Sequence, residues 1–279
     1  INFDDSADPT AVSYDITNLY GPSTCNFVGM GAGVGVGSDV ETMNLQGSGK
    51  NDAFRVDSFQ TNNALYIYGN GGDDTVEFTP STKNAPAYLT ALPPFDFVCG
   101  ACHDTLRSYN DNASGSFTYI EASTYFEAAN AATNIVRVMQ NAQVETIYAS
   151  GTAQADTFNL NSPPAGQTFQ TSGGGGLDSM NISAGIVQFP AAEDFSNLTI
   201  TVVTVQFTAG AQQAIYTHSL SIAPGAKLDL GTGGLIVDFL PANVLGTWNG
   251  TSYTGVTGWV QSGRAGNWTG PGIDTSSAG

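Results

Sequence analysis

Basic residues are scarce in this sequence. Its 279 residues include only seven Lys and Arg against 24 Asp and Glu, which gives a formal net charge of −17. Nucleic-acid binding depends on Lys and Arg to neutralise phosphates, so this composition excludes nucleic acid as a partner. There is also no run of about 18 apolar residues that would span a bilayer, and membrane insertion is therefore not expected.

Helix-forming patterns are also sparse. Charged residues make up 11% of the chain and 34 residues are Gly, which suits turns and strands better than helices. Apolar residues do not recur at helical spacing over a sustained, capped window, and only residues 125–139 could hold a short helix. Because 41% of the residues are hydrophobic, the chain can bury a sizeable core. We expect an all-β fold.

A signal peptide is missing, and the chain begins at Ile1. We therefore expect a processed, secreted protein that is extracellular or at the cell surface. So little Lys beside so much Gly, Ser, Thr, Asn and Asp is unusual for a cytoplasmic protein. Asp outnumbers Glu by 18 to 6, and Asp favours turns and the ligation of hard cations.

What the sequence does contain is one stretch that occurs twice. Residues 40–78 and 144–182 align at a constant offset of 104 without a gap, and 11 of the 39 positions are identical. The identical pairs are Val40/Val144, Glu41/Glu145, Thr42/Thr146, Gly47/Gly151, Asp52/Asp156, Phe54/Phe158, Ser58/Ser162, Gly69/Gly173, Gly71/Gly175, Gly72/Gly176 and Asp74/Asp178. Agreement in register over this length indicates a tandem repeat protein.

The recurrent feature is an Asp in a glycine-rich turn, followed at once by a strand-like run. It occurs as Asp52 and Asp74 in the first copy and as Asp156 and Asp178 in the second, 22 residues apart each time. A period of about 20 residues is the length of one coil of a β-solenoid. Stacked coils would place Asp52 over Asp74, and Asp156 over Asp178.

These turns resemble the glycine- and aspartate-rich β-roll family of secreted calcium-binding proteins, whose unit is G-G-x-G-x-D-x-U-x with U a large apolar residue. Residues 173–180 (GGGGLDSM) fit every position, and residues 69–76 (GNGGDDTV) fit with Asn70 in place of the second Gly. The resemblance implies Ca²⁺ between the turns, ligated by the repeated aspartates Asp52, Asp74, Asp104, Asp156 and Asp178.

An alternative explains the same turns without a metal. Calcium takes about six to eight oxygen ligands, and turns that lie a full coil apart supply few of them. Glycine allows positive φ at the corners of a solenoid, and Asp caps turns. Both interpretations remain open at this point.

A second match defines the size of the repeat. Residues 1–30 match residues 107–130 when Phe3 is laid on Tyr109 and Asp5 on Asp111. Each unit of about one hundred residues then contains an opening strand, a strand pair, a Val-Glu-Thr strand and the Asp turns. This layout resembles the long, repetitive surface proteins of environmental bacteria, planctomycetes among them.

The fold expected from these features is a parallel β-helix or β-solenoid of two units with a C-terminal cap. We place the first unit at residues 1–106 and the second at 107–190. Residues 191–279 form a capping and assembly region, since the end of a solenoid otherwise exposes unpaired edges.

Between the two copies lies the sequence Cys99-Gly100-Ala101-Cys102-His103, which matches the attachment motif of c-type haem. In that reading the thiols of Cys99 and Cys102 bind the porphyrin and His103 ligates the iron. The only other His, His218, is the candidate for the second axial position.

The same residues also superpose on the Asp-turn unit. Cys99 and Cys102 then take the first and third Gly positions, and Asp104 becomes a third Asp of the first unit. A disulfide between the two Cys would close this turn in an oxidising compartment. Cys25 is left over, and it either cross-links chains or pairs with one of them.

All three tryptophans, Trp248, Trp259 and Trp268, lie in the last forty residues. Aromatic side chains over a polar loop stack on sugar rings, or they fill a cap and contact a neighbouring subunit. Glycans and further copies of the chain are therefore the expected partners.

The function expected from the sequence is structural. We expect an extracellular surface-layer, matrix or filament protein that self-associates and is braced by calcium. The alternatives are a monohaem c-type cytochrome-like protein for extracellular electron transfer and a polysaccharide-binding or polysaccharide-acting β-helix protein. We do not expect an enzyme, because the Asp residues recur with the repeat and form no unique catalytic constellation.

Overall fold

The computed structural model describes residues 2–17, 24–28, 34–37, 42–56, 64–78, 95–98, 102–111, 114–130, 135–140, 144–201, 204–207, 214–238 and 245–276. This part of the chain is all-β, as expected, and its strands form two sheets of 13 and 12 strands. Two short helices lie near the C-terminus: α1 is Gly255–Gly263 and α2 is Ala265–Trp268. No helix in these ranges has the length and apolarity needed to span a membrane.

The first sheet contains thirteen strands: β1 (Asn2–Asp4), β5 (Thr42–Gln46), β7 (Ala64–Tyr68), β9 (Phe95–Val98), β11 (Phe117–Glu121), β12 (Tyr125–Asn130), β13 (Ile135–Gln140), β15 (Thr157–Leu160), β17 (Asp178–Ile182), β19 (Glu193–Ile200), β21 (Ala214–Thr217), β22 (Leu220–Ile222) and β24 (Gly234–Val237).

The second sheet contains twelve: β2 (Ser13–Thr17), β3 (Thr24–Val28), β4 (Val34–Gly37), β6 (Ala53–Val56), β8 (Thr75–Phe78), β10 (Asp104–Tyr109), β14 (Val144–Ser150), β16 (Thr168–Ser172), β18 (Ile186–Phe189), β20 (Thr204–Phe207), β23 (Lys227–Asp229) and β25 (Gly272–Asp274).

Most neighbouring strands are parallel, and the chain crosses repeatedly from one sheet to the other. The second sheet runs β25-β23-β20-β18-β16-β14-β10-β8-β6-β2-β3-β4. The first runs β1-β5-β7-β9-β13-β12-β11-β15-β17-β19-β21-β24, with β22 also paired to β19. Antiparallel pairs are confined to β2-β3-β4 and β11-β12-β13 among the described strands.

The core lies between the two sheets because side chains alternate along each strand. In β10, Asp104, Leu106 and Ser108 are buried while the residues between them are partly exposed. Rings from the two sheets meet across this core: Phe126 and Phe169 have centroids 6.4 Å apart. The buried apolar side chains form one cluster that extends from Tyr14 to Ile273.

The two copies of the repeated stretch contain strands in the same order, but they occupy opposite sheets. In the first, β2 leads into the antiparallel pair β3-β4, and then β5 to β8 follow. In the second, β11 leads into β12-β13, and then β14 to β17 follow. The chain crosses between the sheets seven times from β1 to β10, an odd number, so the second copy starts in the sheet opposite to the first.

The stacked aromatic pairs show the same exchange. Tyr14 stacks on Phe54 in the second sheet at 4.8 Å between centroids. Their repeat equivalents, Tyr119 and Phe158, stack in the first sheet at 4.5 Å. One packing arrangement is therefore used twice, on opposite sides of the core.

The short helix considered for residues 125–139 is wrong. This segment forms the antiparallel strands β12 and β13, which pair through Tyr125 with Met139 and Phe126 with Val138. Pairing with β9 and β11 on either side satisfies the backbone of both strands, and this tertiary context outweighs local helix propensity.

The boundaries between the two expected units and the C-terminal cap do not coincide with breaks in the described sheets. The division between residues 106 and 107 falls inside β10, which pairs with both β8 and β14. Beyond residue 190, β19 continues the first sheet beside β17. Residues 245–276 are different, because α1 packs against β25 and the Trp259 Nε1–H donates to the Ile222 carbonyl at 3.0 Å.

Candidate functional site

Three of the repeated aspartates lie in one line at the start of strands in the second sheet. The backbone N–H of Asp52 donates to Asp74 Oδ1 at 2.8 Å, and that of Asp74 donates to Asp104 Oδ1 at 2.7 Å. The line is extended at one end by Val12, whose N–H donates to Asp52 Oδ1 at 2.7 Å. At the other end Glu145 Oε2 accepts the N–H of Asp104 at 2.7 Å. We call this the first carboxylate ladder.

A second ladder lies at the start of strands in the first sheet. The N–H of Asp156 donates to Asp178 Oδ1 at 2.8 Å, and the N–H of Phe117 donates to Asp156 Oδ1 at 2.6 Å. Glu193 follows in the next strand, where its Oε2 accepts the N–H of Gly173 at 2.7 Å. The bonds of Phe117, Asp156 and Asp178 therefore repeat those of Val12, Asp52 and Asp74. Glu193 differs from Glu145, because it accepts the N–H of Gly173, whereas Glu145 accepts that of a ladder aspartate.

The backbone of the same residues bonds in the opposite direction. The Asp52 carbonyl accepts the N–H of Thr75 at 2.9 Å, and the Asp156 carbonyl accepts that of Ser179 at 2.8 Å. Each aspartate thus joins neighbouring strands by both its main chain and its side chain. The expected stacking of Asp52 over Asp74 and of Asp156 over Asp178 is found.

The second carboxylate oxygen of Asp52 and Asp156 closes a local turn. Ser48 N–H donates to Asp52 Oδ2 at 2.6 Å, and its hydroxyl lies 3.0 Å from the same oxygen. Thr152 occupies the equivalent position and donates its N–H to Asp156 Oδ2. Asp74 Oδ2 differs, since it is buried and no described residue hydrogen-bonds to it.

A glycine stands five residues before four of the ladder aspartates, and the carboxylate occupies the space beside it. A Cβ at Gly69 would collide with Asp74 Oδ2, and a Cβ at Gly173 would collide with Asp178 Oδ2. The two remaining pairs are Gly47 with Asp52 and Gly151 with Asp156, where a Cβ would lie 2.6 Å from Oδ2. The conserved spacing within the repeat is thus a packing requirement.

Backbone conformation at the corners accounts for two further glycines of the motif. Gly72 and its repeat equivalent Gly176 have φ of +103° and +81°, a region that side chains rarely adopt. Asn70, which replaces a motif glycine, has φ of +71°. Asn is one of the few other residues that tolerate this conformation.

Burial makes ionisation of Asp74, Asp178 and Glu193 unfavourable. Burial raises the pKa of Asp74 to about 7, and the nearby Asp104 and Asp52 carboxylates add to the rise while the N–H of Asp52 opposes it. For the same main reason the pKa of Asp178 is raised to about 7 and that of Glu193 to about 8. In the described part of the chain no Lys or Arg forms an ion pair with Asp74 or Asp178.

The ladder geometry does not fit calcium held between turns. Calcium needs about six to eight oxygen ligands, whereas the neighbours of these carboxylates are mainly backbone N–H groups. Among the described residues, no group of three or more His, Cys, Asp or Glu side chains is arranged to hold a metal ion. Calcium binding stays a prediction, and the ladders themselves have a bonding pattern that needs no metal.

The Cys-His motif lies at the corner before β10. Cys102 Sγ accepts the N–H of Gly72 at 3.2 Å, and the His103 N–H donates to Asp73 Oδ1 at 3.0 Å. This turn therefore stacks on the Gly72–Asp74 turn, in line with its superposition on the Asp-turn unit. Cys99 and the side chain of Cys25 lie outside the described residues.

His218 does not meet His103. His103 is exposed just before β10, whereas His218 is exposed between β21 and β22 of the first sheet. β20, which precedes β21 along the chain, is four strands from β10 in the second sheet. At ~4.8 Å per strand this separation is about 19 Å, too far for both imidazoles to ligate one iron. Haem attachment stays a prediction, but His218 of the same chain is too far away to be the second axial ligand of the iron.

The three tryptophans occupy different environments. Trp259 is half-buried, packs against the core and belongs to the cap. Trp248 is 54% exposed and its ring centroid lies 5.1 Å from that of Tyr253, which is also exposed. Trp268 ends α2 with φ of +64°.

Sequence reasoning missed Glu145, Glu193, Ser48 and Thr152. For Glu145 a signal was present, since it is one of the identical positions of the repeat. Glu193 has no such signal, because it lies beyond the aligned stretch and reaches its ladder from a following strand.

Comparison of the chain with protein-family models, with curated proteins and with solved structures found no match.

Proposed function

We propose that this chain is an extracellular structural β-solenoid protein that assembles into a surface layer, matrix or filament. The pair of carboxylate ladders carries this proposal. The aspartates that recur through the sequence form hydrogen bonds between neighbouring strands. Each of them is at most 2% exposed: Asp52, Asp74, Asp104, Asp156 and Asp178.

The solenoid interpretation is supported by the path of the chain. Outside β2-β3-β4, β11-β12-β13 and β21-β22, successive strands alternate between the two sheets. Parallel pairs such as β6-β8 and β15-β17 bring residues 22 positions apart into register. A 22-residue interval is one complete coil of such a path. Stacked coils share one core, which suits a long, mechanically continuous element.

An enzymatic role is less well supported by the same residues. Acid–base catalysis needs a carboxyl group within hydrogen-bond reach of the substrate. The repeated aspartates are buried and already accept backbone N–H groups, so they suit stabilisation better than proton transfer to a substrate.

Self-association fits one end of the molecule better than the other. β1 and β4 end the two sheets on one side, and β24 and β25 end them on the other; each of the four has a single neighbour among the described strands. An edge strand presents backbone groups that template pairing with another chain. At the opposite end α1 and Trp259 cover part of the fold beside β25. We therefore place the assembly contact at the β1 end.

Sedimentation velocity over a range of concentrations tests this proposal. Asn2 is exposed in β1, and Asn2→Lys adds a charge to the edge strand, which disfavours pairing. Ala7→Lys adds the same charge at an exposed position outside the strands. We expect concentration-dependent assembly that Asn2→Lys weakens and Ala7→Lys leaves unchanged. A monomer at all concentrations, or equal effects of the two variants, would contradict assembly through this end.

A further inference from the structure

The pair β12-β13 lengthens only one of the two sheets. Three strands, β13, β12 and β11, lie between β9 and β15 in the first sheet. Only one strand, β10, lies between β8 and β14 in the second. The two extra strands add about 10 Å to the first sheet at ~4.8 Å per strand.

A concavity is present on the outer face of the second sheet at this level. Its volume is about 460 Å³, and it is lined by Thr105, Arg107, Tyr109, Thr146, Tyr148 and Gln170. These residues belong to β10, β14 and β16, the strands opposite the insertion. The sequence repeat alone does not reveal this site, because the site depends on which strands lie side by side in the folded chain.

Aromatic surface and hydrogen-bonding groups alternate in the concavity. The register places Arg107 beside Tyr148, and Tyr148 beside Gln170. The rings of Tyr109 and Tyr148 have centroids 5.6 Å apart and are inclined at 54°. Arg107 Nη1 lies 3.4 Å from the Tyr109 hydroxyl and 3.5 Å from Glu77 Oε1, both long for a hydrogen bond. The guanidinium thus keeps donor capacity for a ligand.

We propose that this concavity binds a linear, uncharged glycan. The apolar C–H face of a pyranose ring packs on an aromatic ring, while its hydroxyls exchange hydrogen bonds with guanidinium, amide and hydroxyl groups. Two tyrosines, one Arg, one Gln and two Thr supply both kinds of contact within one cavity. A few convergent polar groups in a concave, partly aromatic site are typical of ligand pockets.

Charge favours a neutral glycan over an acidic one. The positive charge of Arg107 is opposed by Glu77 in the adjacent strand. The chain as a whole carries −17, which repels polyanions at long range. The site goes beyond the structural role proposed above, and it would attach the assembled protein to a polysaccharide.

Calorimetric titration with neutral hexasaccharides tests the assignment. The probes are cellohexaose, xylohexaose, mannohexaose and chitohexaose, with hexagalacturonate as the acidic counterpart. We expect at least one neutral probe to bind, and Tyr148→Ala and Arg107→Gln to weaken it by about tenfold or more. Tyr148→Phe, which keeps the ring, should retain most of the affinity.

Matched controls separate the site from general surface effects. Arg55 lies in the same register column as Arg107, one strand beyond Glu77 and outside the concavity. Tyr216 is 44% exposed in the first sheet. Arg55→Gln and Tyr216→Ala should leave affinity unchanged, and thermal unfolding should show that all variants are folded. The proposal is overturned if no neutral probe binds, if hexagalacturonate binds more tightly, or if the control variants lose as much affinity as those of the site.

Discussion

Asp52 donates its backbone N–H to Oδ1 of Asp74 at 2.8 Å, and Asp156 donates to Asp178 at the same distance 104 residues later. The first pair belongs to the second sheet and the second pair to the first sheet. The same Asp-to-Asp hydrogen bond therefore joins neighbouring strands on both sides of the core. The hydrogen bond explains why Asp recurs, and the collision at Gly69 and Gly173 explains why Gly precedes it by five residues.

Replacing Asp by Asn distinguishes two kinds of ladder residue. Both oxygens of Asp52 accept N–H groups, so one of them would face an amide NH₂ in Asp52→Asn. We expect a loss of about 1–3 kcal/mol in the free energy of unfolding. Asp74 Oδ2 has no hydrogen-bond partner among the described residues, and Asp74→Asn also removes a buried charge.

Asp74→Asn should therefore be at least as stable as the wild type at pH 8, where the wild-type carboxyl, with a pKa of about 7, is ionised. Denaturant unfolding of both variants at that pH measures the difference. Equal destabilisation by the two substitutions would show that the two carboxylates are not bonded as described.

The glycine five residues before Asp74 should not tolerate a side chain. Gly69→Ala places a Cβ against the Asp74 carboxylate, and we expect a loss of about 1–3 kcal/mol. Gly71→Ala is the matched control, since the nearest atom to its Cβ is the Gly49 Cα at 4.0 Å. The control should change stability by less than about 0.5 kcal/mol. If both variants behave alike, the carboxylate does not occupy the space beside Gly69.

Thermal stability should fall as the pH rises from about 4 to about 8. Unfolded Asp and Glu titrate near pH 4, whereas folded Asp74 and Asp178 have a pKa of about 7 and Glu193 of about 8. The folded state then binds more protons than the unfolded state between about pH 4 and pH 8. The three carboxyl groups therefore contribute their full stabilisation below about pH 4, and this stabilisation is lost as the pH rises through their pKa values in the folded state. The test is to measure Tm as a function of pH at high salt, because salt screens the repulsion between exposed charges. A Tm that rises over this window would contradict the buried state of these carboxyls.

The visible spectrum of natively produced protein decides between the structural and the haem interpretations of the Cys-His motif. Because Cys102 Sγ is directed to the Gly72 N–H and His218 is remote, we expect no Soret band. A Soret band that survives acid–acetone extraction would place covalent haem on Cys99 and Cys102 and contradict this expectation. In that case His218→Ala should leave the spectrum unchanged.

Much of the fold could be predicted from the sequence because stacking forces equivalent residues into register. The 22-residue spacing of Asp52 and Asp74 predicts their contact, and alternation along β10 predicts its buried face. The strand pair expected within each unit appears as β3-β4 and β12-β13.

The rest depends on long-range pairing that local patterns do not encode. The exchange of sheets between the units follows from an odd number of crossings, which the 104-residue offset does not reveal. Helix α1 was not predicted, since its sequence GVTGWVQSG contains three glycines and its place depends on packing against β25. Glu193 joins its ladder from a later strand, so only the folded chain brings it to Gly173.

The most direct test of the carboxylate ladders is the Tm of the purified protein at neutral pH, measured in excess chelator and again in excess CaCl₂. A ligand that binds only the folded state raises its stability. The ladder carboxylates already accept backbone N–H groups, so we predict the same Tm in both solutions. A Tm that falls with chelator and is restored by calcium would contradict the ladder account and favour calcium binding at the Asp turns.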